Sequence, residues 1–213
     1  MNWLRDVLYN LLRMFLYVAL RIIYRIEYVG FEKLPKNGPA LIVANHLSYM
    51  DSQAILARIS RPISFIVYKK IFYIPLIYPL MKLSRSIPIE AHKKDVTMAI
   101  NQVDRLLTEG HLVCIFPEGT MSYTGNMKRF KLGVEWILEK NPVPVYPIAI
   151  QGFWGSMWSR KYQGKWYRWL PKDFRRSIVL RMGRPIKPEL AKINHLQQVL
   201  MELKDDEQYI RWV

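Results

Sequence analysis

Short apolar runs that end abruptly in polar residues constrain the fold of this chain more than any other feature. Ala40–Ala44 leads directly into Asn45 and His46, and Leu112–Phe116 leads through a proline into Glu118. An uninterrupted apolar run of this length is typical of a strand covered on both faces, as in a parallel sheet. Because ligands gather at the carboxyl ends of such strands, His46 and Glu118 are predicted to lie at one edge of the sheet.

Amphipathic helical patterns alternate with these runs. The clearest helix is predicted over residues 94–109, where apolar residues recur at helical spacing before Gly110 ends the pattern. Further helices are predicted from residue 51 onward, over 131–140 and over 195–204, and further strands over 26–29, 63–68, 86–89, 145–150 and 177–182. This alternation predicts an α/β fold: a single domain with a mostly parallel or mixed central sheet flanked by helices.

The turn after the first apolar run carries His46 and, five residues later, Asp51. An aspartate at the start of the next helix can fold back onto one ring nitrogen of the histidine and fix its tautomer. The other nitrogen would then act as a general base toward a hydroxyl that a substrate supplies. From residue types alone, an ordinary turn in which Asp51 caps the helix is an open alternative.

The first 24 residues are apolar but interrupted by arginines. The longest uncharged stretch between arginines, 14–20, has seven residues, whereas a membrane-spanning helix needs about 20. At helical spacing one face collects Leu4, Leu8, Leu11, Phe15, Val18 and Ile22, and another collects Arg5, Arg13 and Arg21. We therefore expect residues 1–24 to form an amphipathic membrane-interface helix, with its arginines toward lipid phosphates, ahead of a domain over 25–213. The alternative is a helix packed on the protein's own core.

The formal net charge of +15 indicates an anionic partner. Between residues 154 and 176, aromatic and basic side chains are interleaved: Trp154, Trp158, Tyr162, Trp166, Tyr167 and Trp169 among Arg160, Lys161, Lys165, Arg168, Lys172, Arg175 and Arg176. Such a surface suits an anionic bilayer or single-stranded nucleic acid, and the N-terminal helix favours the bilayer. No Cys or His cluster has metal-ligand spacing, so no metal site is predicted.

Four motifs in a fixed order resemble the PlsC-type glycerolipid acyltransferase family. Residues 45–51 read Asn-His-Leu-Ser-Tyr-Met-Asp and look like the family's Asn-His-x-x-x-x-Asp, and residues 116–120 match its Phe-Pro-Glu-Gly-Thr. Residues 130–133 match a Phe-Lys-x-Gly segment, and residues 143–148 are similar to a proline-bearing strand. The resemblance extends from about residue 25 to residue 185. Four motifs in family order at fitting distances make it specific.

The resemblance implies acyl transfer to the free hydroxyl of a lysolipid in phospholipid biosynthesis or remodelling. The donor would be acyl-CoA or acyl-carrier protein, and no cofactor would be bound. His46 would take the proton from the attacking hydroxyl while Asp51 orients the imidazole, and Glu118 is associated with the glycerol portion of the acceptor. The substrate-binding residues that it implies are Glu118, Gly119, Thr120, Asn45 and Lys131.

Two positions depart from the family pattern. Ala91 and Met121 stand where the resemblance places arginines thought to hold the acceptor phosphate. A phosphate monoester favours bidentate arginine, so this loss favours an acceptor with a phosphodiester headgroup or an aminolipid. Lysophosphatidate remains a close alternative, because nearby cations can compensate: His92, Lys93, Lys128, Arg129 or Lys131.

Other functions are less consistent with the sequence. A non-catalytic basic module that binds membrane or nucleic acid is the main alternative, although no groove-entering motif supports nucleic acid. An esterase is disfavoured because no Gly-x-Ser-x-Gly elbow is found. We therefore expect an acyltransferase whose partners are membrane lipids and the acyl donor, bound as a monotopic protein to the cytoplasmic face of the inner membrane.

Overall fold

The computed structural model describes residues 3–75, 78–90, 92–162 and 174–205. Within these ranges the strands are β1 Tyr24–Val29, β2 Ala40–Ala44, β3 Ile63–Tyr68, β4 Ile87–Ile89, β5 Leu112–Ile115, β6 Val145–Gln151 and β7 Arg176–Met182. The α-helices are α1 Trp3–Ile23, α2 Asp51–Arg58, α3 Lys69–Phe72, α4 Tyr78–Leu83, α5 Lys93–Thr108, α6 Gly133–Lys140 and α7 Ile193–Asp205.

The strands form one sheet in the order β1-β7-β6-β2-β5-β3-β4. Among the described strands, β6 and β7 pair antiparallel and all other neighbours pair parallel. The predicted α/β fold with a mixed central sheet is therefore confirmed. Since β2, β5 and β6 run in the same direction, their carboxyl ends share one edge of the sheet.

Helices cover both faces of the sheet, which explains why its central strands read as unbroken apolar runs. The even-numbered residues of β2 pack in one core cluster with α1 and α2. Leu41 and Val43 pack in the other cluster, with α5, α6 and α7. All five residues of β2 are fully buried, and burying a Leu, Ile or Val side chain contributes about 1.5–3 kcal/mol.

Helix α1 packs on α2 by one side only. Tyr9 and Leu20 are buried, and the Tyr9 hydroxyl donates to Arg61 O (3.3 Å) while accepting from Ile63 N–H (3.2 Å). The predicted apolar face is instead exposed by between 47% and 69% per side chain: Leu4, Leu8, Leu11, Phe15, Val18 and Ile22. No described element of the protein buries this face.

Two arginines of α1 make contacts within the protein itself. Arg5 donates from Nε (3.3 Å) and Nη2 (3.1 Å) to the carbonyl of Leu83, the last residue of α4. The Arg21 guanidinium carbon lies 4.9 Å from the ring centroid of Tyr17. For Arg5 the expectation that it points toward lipid phosphates is wrong, because a helix C-terminus leaves carbonyls without partners and a nearby guanidinium can satisfy one of them.

The uncharged stretch 71–81 contributes to two short helices, α3 and α4, with residues 76–77 outside the described ranges. Tyr73, Ile74 and Leu80 are exposed, whereas Phe72 is buried. Within the ranges that the structure describes, we find no helix both long and apolar enough to span a bilayer. Residues 163–173, the middle of the aromatic and basic stretch 154–176 predicted to meet lipid, also lie outside the described residues.

Candidate active site

His46 lies two residues beyond β2, at the edge where β2, β5 and β6 end. Its side chain is 21% exposed, and its Nδ1 is 2.8 Å from Asp51 Oδ2. A carboxylate only accepts hydrogen bonds, so Nδ1 carries the proton and Nε2 is the basic nitrogen. No hydrogen bond from the described residues reaches Nε2, which is therefore available to a substrate.

The fully buried Asp51 is the first residue of α2. Besides His46 Nδ1, its Oδ2 accepts from the backbone N–H groups of Leu47 (2.6 Å) and Ser48 (2.9 Å). The N-cap of α2 is Met50, without a side-chain cap. Asp51 therefore closes the turn that precedes it and orients the imidazole, and the plain helix-cap alternative does not describe it.

Phe116 fixes the plane of the His46 ring. The two rings stack with centroids 4.3 Å apart and an interplanar angle of 20°. Phe116 follows β5, which pairs with β2, so the sheet itself brings the two rings together. Because Asp51 sets the rotation of the imidazole and Phe116 sets its plane, the direction of Nε2 is determined before any substrate binds.

Glu118 connects the His46 turn to a second loop. Its Oε1 accepts from His46 N–H (2.8 Å) and its Oε2 accepts from Lys128 N–H (2.8 Å). Burial raises the pKa of Glu118 above its ordinary value, while the two N–H donors, which favour the carboxylate, oppose that shift. Both oxygens are thus engaged by the protein's own backbone. This gives Glu118 a positioning role, and its contact with the acceptor stays a prediction.

Gly119, Thr120 and Lys131 lie together on the exposed side of this loop. Gly119 has a φ of +69°, in the left-handed region, and a Cβ there would lie 2.7 Å from Lys131 Nζ. The hydroxyl of Thr120 accepts from Lys128 Nζ (2.9 Å). The structure brings these predicted residues next to Glu118, and their contact with substrate stays a prediction.

The substrate-binding role predicted for Asn45 is corrected by the structure. Asn45 is 1% exposed, its Nδ2 donates to Ile150 O (2.9 Å), and its Oδ1 accepts from Ile150 N–H (2.7 Å). Because both polar groups of its side chain bond Ile150, Asn45 joins the end of β2 to β6. It supports the site and does not face a ligand.

Sequence reasoning missed the loop after β6 as part of the site. Ser48 forms an antiparallel bridge with Ser159, and Tyr49 N–H donates to Trp158 O (3.2 Å). These contacts close the loop over the His46 turn. Trp154 and Trp158 are the available signal in the sequence, but their composition favours lipid contact, and no local pattern indicates pairing between such distant segments.

The two positions at which arginine was expected differ in what the structure shows. Met121 is buried, and Ala91 lies outside the described residues. In the described ranges, no group of three or more His, Cys, Asp or Glu side chains could hold a metal ion.

Comparison with known proteins defines the class. The family model described as Acyltransferase matches residues 25–151, the segment that contains His46, Asp51 and Glu118. The chain therefore belongs to the acyltransferase family, and the resemblance drawn from its four motifs is confirmed.

The chain is also similar to individual proteins of known name. The chloroplastic 1-acyl-sn-glycerol-3-phosphate acyltransferase LPAT1 of Arabidopsis thaliana is 34% identical over 133 residues, covering 61% of this chain and 36% of that protein. The 1-acyl-sn-glycerol-3-phosphate acyltransferase of Pseudomonas aeruginosa is 28% identical over 144 residues, covering 66% and 55%. The chain thus spans only part of the length of these two relatives. The crystal structure of the 1-acyl-sn-glycerophosphate acyltransferase PlsC from Thermotoga maritima matches with a TM-score of 0.78 at 25% identity, covering 98% of this chain and 83% of that one.

Proposed function

We propose that this protein is a membrane-associated acyltransferase that moves an acyl chain from acyl-CoA or acyl-carrier protein to the free hydroxyl of a lysolipid. Lysophosphatidate becomes the leading acceptor, ahead of the phosphodiester lipids that the missing arginines favoured. The reason is that the relatives compared above are named for 1-acyl-sn-glycerol-3-phosphate. The non-catalytic alternative is not favoured, because it gives no role to an oriented imidazole with an available nitrogen.

The observation that carries the proposal is His46 Nε2, held in place by Asp51 and unoccupied by any described residue. Nε2 accepts the proton of the acceptor hydroxyl as that oxygen attacks the thioester carbonyl. The buried Asp51 carboxylate stabilises the imidazolium that forms. When the tetrahedral intermediate collapses, the C–S bond breaks and the departing thiolate takes the proton from Nε2. The acceptor itself is the nucleophile, so this route has no acyl-enzyme.

Membrane association is proposed from α1. Its exposed apolar face forms a contiguous apolar strip, which in a soluble protein marks a binding surface. The end of α1 lies beside the site, since Ile23 O accepts from Arg175 N–H (2.7 Å) and the next residue, Arg176, donates to Trp154 O (3.2 Å). We propose that the strip lies in the cytoplasmic leaflet of the inner membrane, where a lysolipid can reach His46.

The test is His46→Ala in purified protein, assayed with lysophosphatidate and acyl-CoA in mixed micelles. Loss of a general base is expected to lower kcat about 10²–10⁴-fold. Release of free CoA and mass spectrometry of the lipid product measure it. The matched control is His195→Ala, which removes an exposed histidine of α7. A folded His46→Ala protein with unchanged turnover would remove His46 from the mechanism.

A further inference from the structure

We infer that Lys128 and Arg160 form an anion subsite that holds the headgroup phosphate of the acceptor lysolipid. This inference rests on the proposed function and names the residues that replace the two arginines absent at positions 91 and 121. Both cations lie against the same exposed ring, that of Tyr123.

The two positive charges are close together, and the part of the chain that the structure describes brings no carboxylate to them. Lys128 Nζ and the Arg160 guanidinium carbon each lie 4.5 Å from the Tyr123 ring centroid, so they are at most about 9 Å apart. That is close to the screening length of about 8 Å at physiological ionic strength, so their repulsion is only partly screened. No carboxylate of the described residues lies within ion-pair distance of either cation. An anion bound between them would replace this repulsion with attraction.

Lys128 is tied to the reaction centre through Glu118. The Glu118 carboxylate accepts from the backbone N–H groups of both Lys128 and His46, so a single side chain links the two residues. The Tyr123 ring that both cations contact is also tied to the His46 turn, because Ser122 N–H donates to His46 O (2.8 Å) and Tyr123 is the next residue. A phosphate held at this ring would therefore lie beside the turn that carries His46.

Arg160 reaches the same place from the opposite loop. It directly follows Ser159, which bridges Ser48, two residues after His46. The side chain then returns to the ring of Tyr123. Two loops that are distant in sequence thus deliver one cation each to one side of the His46 turn.

The donor geometry matches a phosphate. Lys128 Nζ donates to Thr120 Oγ1 (2.9 Å) and to Met121 O (3.0 Å), which uses two of its three protons and leaves one for a ligand. The ammonium is thereby held over the backbone of residue 121, where the family resemblance places an arginine. Arg160 adds a planar fork that suits two phosphate oxygens.

The experiment compares kcat and KM of the full chain and its Arg160→Gln variant. One arm uses lysophosphatidate, a phosphate monoester, and the other uses lysophosphatidylglycerol, a phosphodiester. We expect Arg160→Gln to raise the KM for the preferred acceptor at least about tenfold, with a smaller change in kcat, because a charge-assisted contact to the acceptor is lost. Arg160→Lys should recover part of the loss. The arm with the larger effect identifies the headgroup.

Controls separate this inference from the proposed function. Lys36→Gln removes an exposed lysine at the opposite edge of the sheet, before β2, and should leave both KM values unchanged. An unchanged acceptor KM in Arg160→Gln, or a raised KM for acyl-CoA in its place, would overturn the subsite while leaving the acyltransferase intact. Failure of the wild type to acylate any lysolipid would instead overturn the proposed function. Should Arg160→Gln not fold, Lys128→Gln is judged by the same criteria.

Discussion

The sheet edge and helix α1 distribute polarity in opposite ways. At the edge, Asn45, Asp51 and Glu118 are no more than 3% exposed, although amides and carboxylates are usually found at the surface. In α1, the six large apolar side chains of the predicted apolar face are each at least 47% exposed. Backbone N–H and C=O groups bond both polar atoms of Asn45, both oxygens of Glu118 and Oδ2 of Asp51. Asp51 Oδ1 is buried without a hydrogen-bond partner among the described residues. No described residue covers these six apolar side chains of α1. The edge is therefore held rigid by the protein itself, and the proposed partner of the α1 face is the bilayer.

The variant Asp51→Asn tests most directly whether the buried charge at the sheet edge is needed for activity. The amide keeps an oxygen for the turn N–H groups but removes the charge that stabilises the His46 imidazolium. We expect kcat to fall about 10²–10⁴-fold, measured as CoA release, with the thermal unfolding midpoint close to that of the wild type. Asp104→Asn, on the surface of α5, is the matched control. Wild-type turnover in Asp51→Asn would show that the buried charge is not needed.

Charged substitutions on the apolar face of helix α1 should have the next largest effect, on binding to lipid vesicles. In the double variant Leu11→Glu/Phe15→Glu, two charges replace apolar side chains that would otherwise contribute up to about 1.5–3 kcal/mol each on burial in lipid. Binding to vesicles of phosphatidylethanolamine and phosphatidylglycerol should weaken at least about tenfold in a sedimentation assay. Leu190→Glu charges an equally exposed leucine outside α1 and should bind as the wild type does. Equal loss in both proteins would mean that the strip on α1 is not the lipid contact.

The smallest effect is expected for a variant of Asn45, which distinguishes a structural role of this residue from contact with the substrate. Asn45→Ala leaves the N–H and C=O of Ile150 without their partners. The free energy of unfolding should therefore fall by about 1–3 kcal/mol in a denaturant titration, with the acceptor KM unchanged. Asn37→Ala, in the exposed turn before β2, should have little effect on either quantity. A raised KM with unchanged stability would restore Asn45 as a binding residue.

The parts of the molecule that could be predicted from sequence are those set by local pattern. The run Ala40–Ala44 is a strand because both of its faces are apolar, and the pairing of His46 with Asp51 needs only one turn. The meeting of Glu118 with His46 follows from parallel strands that share an edge. Each of these depends on spacing that a reader of the chain can count.

The remaining features depend on contacts between segments that are far apart in the sequence. The bridge between Ser48 and Ser159 joins loops that no periodicity relates, so the subsite cation Arg160 could not be anticipated as one. The side chain of Asn45 lies just beyond the regular alternation of β2, which predicts no direction there. Arg5 turns to Leu83 because α4 ends beside it, and this packing depends on the whole fold.

The antiparallel pairing of β6 with β7 determines at which edge of the sheet helix α1 ends. Because β7 and its parallel neighbour β1 run against the other strands, β1 begins at the edge where β2, β5 and β6 finish. A helix that precedes β1 therefore ends beside the chemistry; in an all-parallel sheet it would end at the far side. With α1 in the bilayer surface as proposed, the His46 turn would lie near that surface. Each methylene drawn from lipid into water costs about 0.8 kcal/mol. On the proposed placement, the reversed strand pair would spare the acceptor this cost, because its tail would stay in the bilayer during the reaction.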